Sequence, residues 1–513
     1  MSSLDLPPPP PPPPPPPTGS SSCAGTVADV DYVLLEEMVH WANCNGLVMA
    51  NPPPLINVDG SVNTDGSMKI QKEEYISRDI AHAPFAFEPY PFPSSVFSRA
   101  QEMAPLFNKL VDRIARDENW LIEQLESTAK SDYFTGKLMN IMKETQLSGI
   151  KQKCYFGIHR SDYMLHESNE CESEGFLQVE LNTIASSFGA LSSKLAEMYQ
   201  SVYPSSRFNV PDNEALEKIV FGMQFAHHEY VNQTGCWEAN VLFLVQANER
   251  NFADQRVLQH FLQQKYSIRA QRATFQEIRE EGVFGDESSG FAFKFRGTEV
   301  SVIYFRSGYS PDDYTSDADW DTRLKIELSR SIKCPNIAYH LVGTKKIQQV
   351  LCQPAQLERF LGIEDSNLIR KCFAGMYSLA ADDTGKANII NEAMRKPNRF
   401  VLKPQREGGG NNLYGVDMAN ALKSMEEEEL SAYVLMDKIN SPSKRNGLVK
   451  KGKVLTTNCI CELGVYGIYI SYGELGSDLL NRSAGYLLRV KQDSSNEGGV
   501  AAGFSCLSSV SLT

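Results

Sequence analysis

The sequence predicts a mixed α/β protein in which strands alternate with helices. Several short apolar runs have the composition of strands, and some lack the polar alternation of a half-exposed strand, which is typical of burial on both faces. Segments with the apolar spacing of helices lie between them. The strand-like runs are Cys154–Ile158, Phe176–Glu180, Val241–Val245 and Val300–Phe305, and the helical segments lie at about 213–232, 254–265 and 321–332. This alternation favours a parallel or mixed sheet.

The N-terminal part begins with a low-complexity tail. Pro7 to Pro17 form an unbroken proline run, which adopts an extended polyproline II helix and cannot join a packed core. Residues 1–27 are therefore predicted to be a disordered proline-rich tail. A ligand for adaptor domains with aromatic grooves is the alternative interpretation.

Helices are predicted on both sides of this mixed region, and strands follow near the C-terminus. The predicted helices lie at about 29–43, 97–115, 118–145, 344–361, 365–378 and 386–395. The predicted C-terminal strands lie at 399–403, 432–439, 457–471 and 485–491.

Composition excludes several classes of protein. The chain has 513 residues, a net charge of −13, 42% hydrophobic and 22% charged residues, which is ordinary for soluble globular proteins. It has no cluster of basic residues for nucleic acid and no apolar run long enough to span a bilayer. Its eleven cysteines are scattered without a CxxC pair, and no secretory signal is evident, so a reducing intracellular compartment is predicted.

The stretch Lys403–Asn412 is the most informative motif. A strand-like run precedes it, and three consecutive glycines, Gly408 to Gly410, let main-chain N–H groups approach a ligand closely. Lys403 and Arg406 supply positive charge, and Glu407 supplies a carboxylate. This combination suits a magnesium-bound triphosphate. A hairpin tip with solvated charges is the alternative.

Other segments carry polar groups where a strand ends or a helix begins. Glu180 and Asn182 share one strand face and offer oxygen ligands to magnesium. Arg306 follows a buried strand, where α/β sheets bind ligands. For each of these residues, the alternative is an ordinary surface side chain without a role in binding. Further candidates are Lys345 and Lys346 before a helix, Arg489 and Lys491 on one strand face, and the small-residue loop Glu497–Gly503. Together they indicate an ATP-dependent ligase that activates a carboxylate.

Five motifs closely resemble those of eukaryotic glutathione synthetases, especially the plant-type members. They are Lys403–Asn412, Arg160–Met164, Glu249–Asn251 with Asp254–Arg256, Tyr304–Tyr309 and Glu497–Gly503, and the resemblance covers residues 28–510. It implies an ATP-grasp enzyme that joins γ-glutamylcysteine to glycine through an acyl phosphate and releases ADP and phosphate.

The resemblance also implies roles for individual residues. Arg160 and Arg489 would be catalytic, and Glu180, Asn182 and Glu407 would hold Mg²⁺. Val434, Leu435 and Met436 would form an adenine slot. The ATP site would comprise Glu180, Lys345, Lys403, Pro404, Gln405, Arg406, Glu407, Gly408, Gly409, Gly410, Asn411, Asn412, Tyr414, Met436, Asp437, Lys438, Ile439, Glu462, Lys491 and Glu497. The amino-acid substrates would contact Arg160, Ile184, Ala185, Ser186, Ser187, Glu249, Arg250, Asn251, Gln255, Arg306, Ser307, Gly308, Tyr309, Arg489, Val500 and Ala501.

The domain organisation expected from the resemblance has three folded parts after the tail. Residues 28–239 and 345–513 would form the ATP-grasp core with glycine-rich lid loops, and residues 240–344 an inserted parallel α/β substrate domain. A cytoplasmic homodimer is expected, with the plastid as the alternative location, and neither nucleic acid nor membrane is expected as a partner. Two alternative functions are a homoglutathione synthetase that uses β-alanine and a catalytically silent binding protein. The small residues Ala501 and Ala502 favour glycine.

Overall fold

The computed structural model describes residues 30–51, 79–167, 175–380, 385–405, 412–473 and 477–513. The predicted proline-rich tail and residues 406–411 of the first glycine-rich motif lie outside these ranges. Within them, helices and strands are mixed, which confirms the predicted fold class. No helix of the described residues is both long enough and apolar enough to cross a bilayer.

The α-helices, in chain order, are α1 (Tyr32–Cys44), α2 (Ser94–Arg116), α3 (Glu118–Ser131), α4 (Tyr133–Ser148), α5 (Gly189–Val202), α6 (Ala215–Thr234), α7 (Phe252–Tyr266), α8 (Phe275–Glu281), α9 (Asp317–Glu327), α10 (Ile337–Val342), α11 (Lys345–Leu351), α12 (Gln356–Phe360), α13 (Ile363–Arg370), α14 (Lys386–Arg395), α15 (Gly415–Ser424) and α16 (Glu427–Leu430).

The strands are β1 (Val48–Ala50), β2 (Ile80–His82), β3 (Phe85–Ala86), β4 (Tyr90–Phe92), β5 (Cys154–Leu165), β6 (Phe176–Asn182), β7 (Asn240–Leu244), β8 (Ala270–Ala273), β9 (Gly282–Phe284), β10 (Phe293–Phe295), β11 (Thr298–Phe305), β12 (Ile332–Cys334), β13 (Met376–Ser378), β14 (Phe400–Pro404), β15 (Leu413–Tyr414), β16 (Tyr433–Asp437), β17 (Lys444–Lys450), β18 (Lys453–Tyr472), β19 (Asp478–Gln492), β20 (Cys506–Ser508) and β21 (Val510–Leu512).

Two long helices expected from apolar spacing are divided in the structure. The segment 118–145 forms α3 and α4, because the Asp132 carboxylate accepts from Thr135 N at 2.7 Å and so caps a new helix. The segment 344–361 forms α11 and α12, with Pro354 between them. Proline lacks the N–H that a continuous helix requires at that point.

The largest sheet of the described residues has seven strands in the order β17-β3-β20-β19-β18-β5-β6. The long strands β18, β19 and β5 pair antiparallel and form its centre. Helices α5 and α6 cover part of one face, where apolar residues such as Phe156, Ile158 and Ile468 are buried. The same face becomes charged farther along β5, beginning at Arg160. Arg160 and Asp162 are both buried in this charged half of the face.

A second sheet contains the region predicted as the inserted domain. Its order is β8-β7-β11-β10-β9, and β12 pairs with β11. Strands β7, β8, β11 and β12 are parallel neighbours, so their carboxyl ends lie at one edge. The parallel α/β character of this region agrees with expectation, while the boundaries at 240 and 344 stay a prediction.

A small antiparallel sheet carries the strand that enters the first glycine-rich motif. Its order is β13-β16-β14-β15. The expected helix at 365–378 is wrong in its second half, because Met376–Ser378 pair with β16 as an edge strand. One face of this sheet packs Phe400, Leu402 and Leu435 against helical residues, including Met418 of α15. The opposite face carries the buried Val401 and Met436.

Candidate active site

Strand register gathers a cluster of charged side chains on one face of the large sheet. Asp162 lies opposite Glu180 and Arg160 opposite Asn182 in the β5–β6 pair. In the β18–β19 pair, Glu462 lies opposite Arg489. Because side chains at alternate positions share a face, neighbouring strands bring these groups together from distant parts of the sequence.

Asp162 is the centre of this cluster, although it is not among the site residues predicted from the sequence. Its two oxygens accept from Arg160 Nε at 2.7 Å and Arg160 Nη2 at 2.8 Å. Arg489 Nη2 donates to the same carboxylate at 2.8 Å, and Asn182 Nδ2 at 3.0 Å. Asp162 is fully buried, Arg160 is buried and Arg489 is partly buried, so two cations share this one carboxylate. Arg489 also donates to Glu462, which supplies a second negative charge. The two-residue spacing of Arg160 and Asp162 places both on one strand face, so it could have identified Asp162 from the sequence.

Gly464 leaves the space that the Arg160–Asp162 pair occupies. It lies opposite Asp162 on β18, on the same sheet face. A Cβ at this position would lie 2.6 Å from Asp162 Oδ1 and 2.7 Å from Arg160 Cδ. Both distances are far below an ordinary contact, so the pair requires glycine at position 464.

Replacing Gly464 by alanine is expected to destabilise the protein by about 1–3 kcal/mol, the usual cost of overpacking a tight interior. The midpoint of urea-induced unfolding measures this change. Gly473→Ala is the matched control, because an added Cβ there meets no atom of the described residues within 4 Å. Equal midpoints for the two variants would contradict the close packing at position 464.

Glu180 is surrounded by cations. Lys345 Nζ donates to its Oε2 at 3.0 Å, and Lys403 reaches the same strand by donating to Val179 O at 3.1 Å. Burial favours the protonated acid, but Lys345, Lys403 and Arg489 outweigh burial and lower the pKa of Glu180 well below its ordinary value. Glu180 is therefore a carboxylate throughout the neutral and mildly acidic range.

Glu180, one of the three predicted metal ligands, belongs to an acidic cluster of a kind that can hold a metal ion. Ligand atoms of Asp162, Glu180 and Glu462 lie within 4.8 Å of one another, and hard oxygen ligands are those that Mg²⁺ prefers. Asn182 is beside them, with Nδ2 3.5 Å from Glu180 Oε1. Glu407, the third predicted ligand, lies outside the described residues. Its role stays a prediction.

The other face of the small sheet forms an apolar patch together with Leu177 of β6, the strand that carries Glu180. Val401 lies opposite both Met436 and Tyr414 in the strand register. Val401 and Met436 are buried, with Met376, Tyr414 and Ile439 partly buried around them. A flat aromatic base can pack against such a surface. Leu435, expected to belong to the adenine slot, instead packs on the opposite face of the sheet.

The other predicted nucleotide residues lie around this patch or lead into it. Gln405 Oε1 accepts from Lys346 N at 2.8 Å, directly after the buried Lys345. Asp437 accepts a hydrogen bond from Tyr377 Oη of the edge strand β13 at 3.1 Å. Pro404 lies opposite Tyr433 in the strand register. Asn412 Nδ2 donates to Tyr414 Oη at 3.4 Å, and Lys438 N donates to Arg399 O at 2.7 Å. The side chains of Glu462, Lys491 and Glu497 are half-buried. Arg406, Glu407, Gly408, Gly409, Gly410 and Asn411 are outside the described residues.

The segment 184–187 connects the charged cluster to α5. Ser187 O accepts from Arg160 Nη1 at 3.3 Å and from Tyr466 Oη at 2.5 Å. Ser186 Oγ donates to Ile158 O at 3.2 Å. Ala185 has φ of 51°, in the left-handed region, and the buried Ile184 begins the turn. Arg160 therefore fixes the main chain of the predicted dipeptide segment.

Buried polar atoms without partners mark the carboxyl end of β7. Glu249 accepts from Asn251 N at 2.7 Å and from Gln255 Nε2 at 2.5 Å. Both polar side-chain atoms of Asn251, Gln255 Oε1 and Arg250 Nε are buried and have no partner among the described residues. An unsatisfied buried group costs about 1–3 kcal/mol. Such a row of donors and acceptors suits a polar ligand such as a dipeptide.

The carboxyl end of β11 lies beside that of β7, as expected for parallel neighbours. Arg306, predicted to contact the amino-acid substrates, forms a buried ion pair with Asp254 at 2.9 Å. Asp254 also accepts from the N–H groups of Phe188 and Ala190, each at 2.9 Å, and so holds the start of α5.

Asp313 organises the turn after β11. Its carboxylate accepts from the N–H groups of Gly308 and Tyr309, at 2.9 and 3.0 Å, while Ser307 is buried. Burial, followed by the charge of Asp313, raises the pKa of Tyr309 to about 12. Neither Asp254 nor Asp313 is among the site residues predicted from the sequence. The partners of Asp254 are distant in sequence, whereas the main-chain partners of Asp313 lie only four and five residues away, in a local turn of the kind that Asp often stabilises.

The second glycine-rich loop, Glu497–Gly503, closes the other side of the cluster. Val500 is buried and Ala501 is exposed. Lys491, next to Arg489 on the same strand face, donates to Asn496 O at 2.9 Å. Burial lowers the pKa of Lys491, although Glu462 and Glu497 oppose that change.

The charged cluster and the neighbouring apolar patch belong to an ATP-dependent ligase. A family model described as "Eukaryotic glutathione synthase, ATP binding domain" matches residues 29–512, and the chain belongs to that family.

Curated relatives agree over nearly the whole chain. The glutathione synthetase of Dictyostelium discoideum is 39% identical over 488 residues, which cover 93% of this chain and 98% of that protein. The chloroplastic glutathione synthetase of Solanum lycopersicum is 41% identical over 499 residues, covering 94% of this chain and 85% of that protein. The Homo sapiens glutathione synthetase is 37% identical over 459 residues, with coverages of 88% and 94%.

Among solved structures, a glutathione synthetase-like effector from Globodera pallida, in its apo form, has a similar fold. The TM-score is 0.72 at 21% sequence identity, and the match covers 96% of this chain and 100% of that chain. At this identity the similarity supports the fold alone.

Proposed function

We propose that this enzyme synthesises glutathione by joining γ-glutamylcysteine to glycine at the expense of ATP. The observation that carries the proposal is Glu180, held as a carboxylate by Lys345, Lys403 and Arg489 beside the apolar patch of the small sheet. Family membership and relatives named glutathione synthetase support the same activity. The test is ADP formation that requires both γ-glutamylcysteine and glycine, with glutathione as the product.

The reaction needs two displacements. A cysteinyl carboxylate oxygen attacks the γ-phosphorus of ATP, the bond to the bridging oxygen breaks, and ADP leaves. The glycine amine then attacks the acyl carbon and loses a proton. Phosphate leaves, and it carries away the carboxylate oxygen that had attacked the γ-phosphorus. No side chain forms a covalent intermediate. The protein therefore acts through positioning and charge neutralisation.

Each part of the site has a proposed task. Lys345 and Lys403 neutralise the phosphates, and Met436 with its apolar neighbours receives adenine. The buried atoms of Asn251 and Gln255 bind the dipeptide, to which Arg160 and the 184–187 turn also contribute. Arg489 pairs with the acceptor carboxylate. Glu180, Asn182 and Glu407 would hold Mg²⁺, which when bound neutralises phosphate charge.

The acceptor is proposed to be glycine, because Ala501 and Ala502 are small and Val500 is buried beside them. With saturating ATP, Mg²⁺ and γ-glutamylcysteine, kcat/KM for glycine is expected to exceed that for β-alanine by about tenfold or more, since one methylene is worth roughly 1–3 kcal/mol in a fitted pocket. Phosphate release with the two acceptors side by side measures the ratio. Equal or reversed values would point to homoglutathione synthesis instead.

Assembly and location follow the family by resemblance. We propose a homodimer, to be checked by the molar mass in solution. A reducing compartment, the cytosol or a plastid, suits the nine described cysteines, none of which forms a disulfide. The relatives from Solanum lycopersicum and Arabidopsis thaliana are named chloroplastic.

A further inference from the structure

Three cationic side chains donate to main-chain carbonyls in and next to the second glycine-rich loop. Lys491 Nζ donates to Asn496 O at 2.9 Å. Arg250 Nη1 donates to Ala501 O at 2.5 Å. Lys450 Nζ donates to Gly503 O at 2.6 Å. The loop thus has separate charge-assisted anchors along its length, and such bonds are about twice as strong as neutral ones.

Of these three anchors, only Arg250 comes from the proposed dipeptide site. Lys491 lies on the strand that leads into the loop, and Lys450 lies at the β17–β18 turn. Arg250 is instead flanked by Glu249 and Asn251, which belong to the row of buried polar groups at the end of β7. Its main chain is fixed, because Arg250 O accepts from Ala50 N at 3.0 Å.

The guanidinium of Arg250 is divided between two environments. Nη1 is bonded to the loop, whereas Nε is buried without a partner among the described residues. Both polar side-chain atoms of the adjacent Asn251 are likewise buried and have no partner in the part of the chain that the structure describes. A ligand that satisfies these atoms also fixes the rigid, planar group that holds Ala501.

We propose that Arg250 is a positioning residue that couples dipeptide binding to the choice of acceptor amino acid. When the dipeptide occupies its site, Arg250 holds Ala501 at the distance that admits an α-amino acid and excludes one with an extra methylene. This inference rests on the proposed function, because it assumes that the loop borders the acceptor.

The test uses Arg250→Met, which keeps much of the side-chain length and removes every hydrogen-bond donor. The glycine KM is measured at low and at saturating γ-glutamylcysteine, together with kcat/KM for glycine and β-alanine. We expect the glycine KM to rise about tenfold, and the preference for glycine over β-alanine to fall by a similar factor. The dependence of the glycine KM on the dipeptide concentration should disappear, while kcat changes less than KM.

Lys450→Met is the matched control, because it removes a loop anchor that does not contact the dipeptide segment. Its acceptor preference should stay within about twofold of the wild type. If the methionine variant does not fold, Arg250→Lys is measured in its place. This variant retains the positive charge and should show a smaller loss of glycine preference. Unchanged glycine KM and preference in a folded Arg250 variant would overturn the inference, as would an equal loss of preference in Lys450→Met. If the wild-type protein forms no glutathione, the proposed function fails instead.

Discussion

Replacing Glu180 by glutamine is expected to lower the rate of ADP formation by roughly 10²–10³-fold, the usual effect of removing one preorganised electrostatic group. Glutamine has the same shape but cannot supply a negative charge to Mg²⁺. It also leaves Lys345 without its carboxylate partner, which lies 3.0 Å away in the wild type. The initial rate of ADP formation over a range of Mg²⁺ concentrations measures the effect, and the half-saturating Mg²⁺ concentration should rise.

The exposed Glu126 provides the control for this change. Its side chain is 61% exposed, and its Oε1 lies 3.4 Å from Lys130 Nζ on the same helix. Glu126→Gln should leave the rate and the Mg²⁺ dependence unaltered. If the Glu180→Gln enzyme had wild-type rates, Glu180 would not be a metal ligand.

Replacing Asp162 by asparagine is expected to lower the free energy of unfolding by about 3–5 kcal/mol, the range found when one partner of a buried ion pair is removed. Arg160 and Arg489 would remain close together with one of their two counter-charges gone. Because the same change releases two arginines proposed to contact substrates, turnover should be lost as well. The shift in the midpoint of urea unfolding gives the stability, and ADP formation gives the activity.

Asp317→Asn tests whether the position matters more than the chemical change. The Asp317 side chain is 85% exposed and pairs with Lys137 at 3.1 Å. Exposed pairs contribute about 0–1 kcal/mol, so its unfolding midpoint should barely move. If Asp162→Asn shifts the midpoint no more than this control does, Asp162 is not the centre of the charged cluster.

Local periodicity predicted much of the geometry. The two-residue spacing of Glu180 and Asn182 predicted a shared strand face, and the register with β5 confirms that geometry. The same spacing predicted a common face for Arg489 and Lys491, which lie opposite Glu462 and Ile460 of β18. The roles of these residues in catalysis stay predictions.

Long-range pairing explains why other features could not be predicted from the sequence. Asp254 contacts Arg306, Phe188 and Ala190, which lie 52 to 66 residues away, and no local pattern records such a contact. Apolar spacing also misses helix breaks where one capping residue, Asp132, overrides a continuous pattern. The prediction for Leu435 was wrong because the expected slot took three consecutive residues, whereas a strand presents only alternate ones on a face.

An acyl phosphate intermediate transfers one oxygen atom from the dipeptide carboxylate to phosphate, and this transfer can be followed with an isotope. γ-Glutamylcysteine labelled with ¹⁸O in both oxygens of its cysteinyl carboxylate is supplied with ATP, Mg²⁺ and glycine, and the released phosphate is analysed by mass spectrometry. We expect one ¹⁸O atom in each phosphate and one retained in glutathione. Unlabelled phosphate, or AMP and pyrophosphate in place of ADP and phosphate, would contradict the proposed reaction.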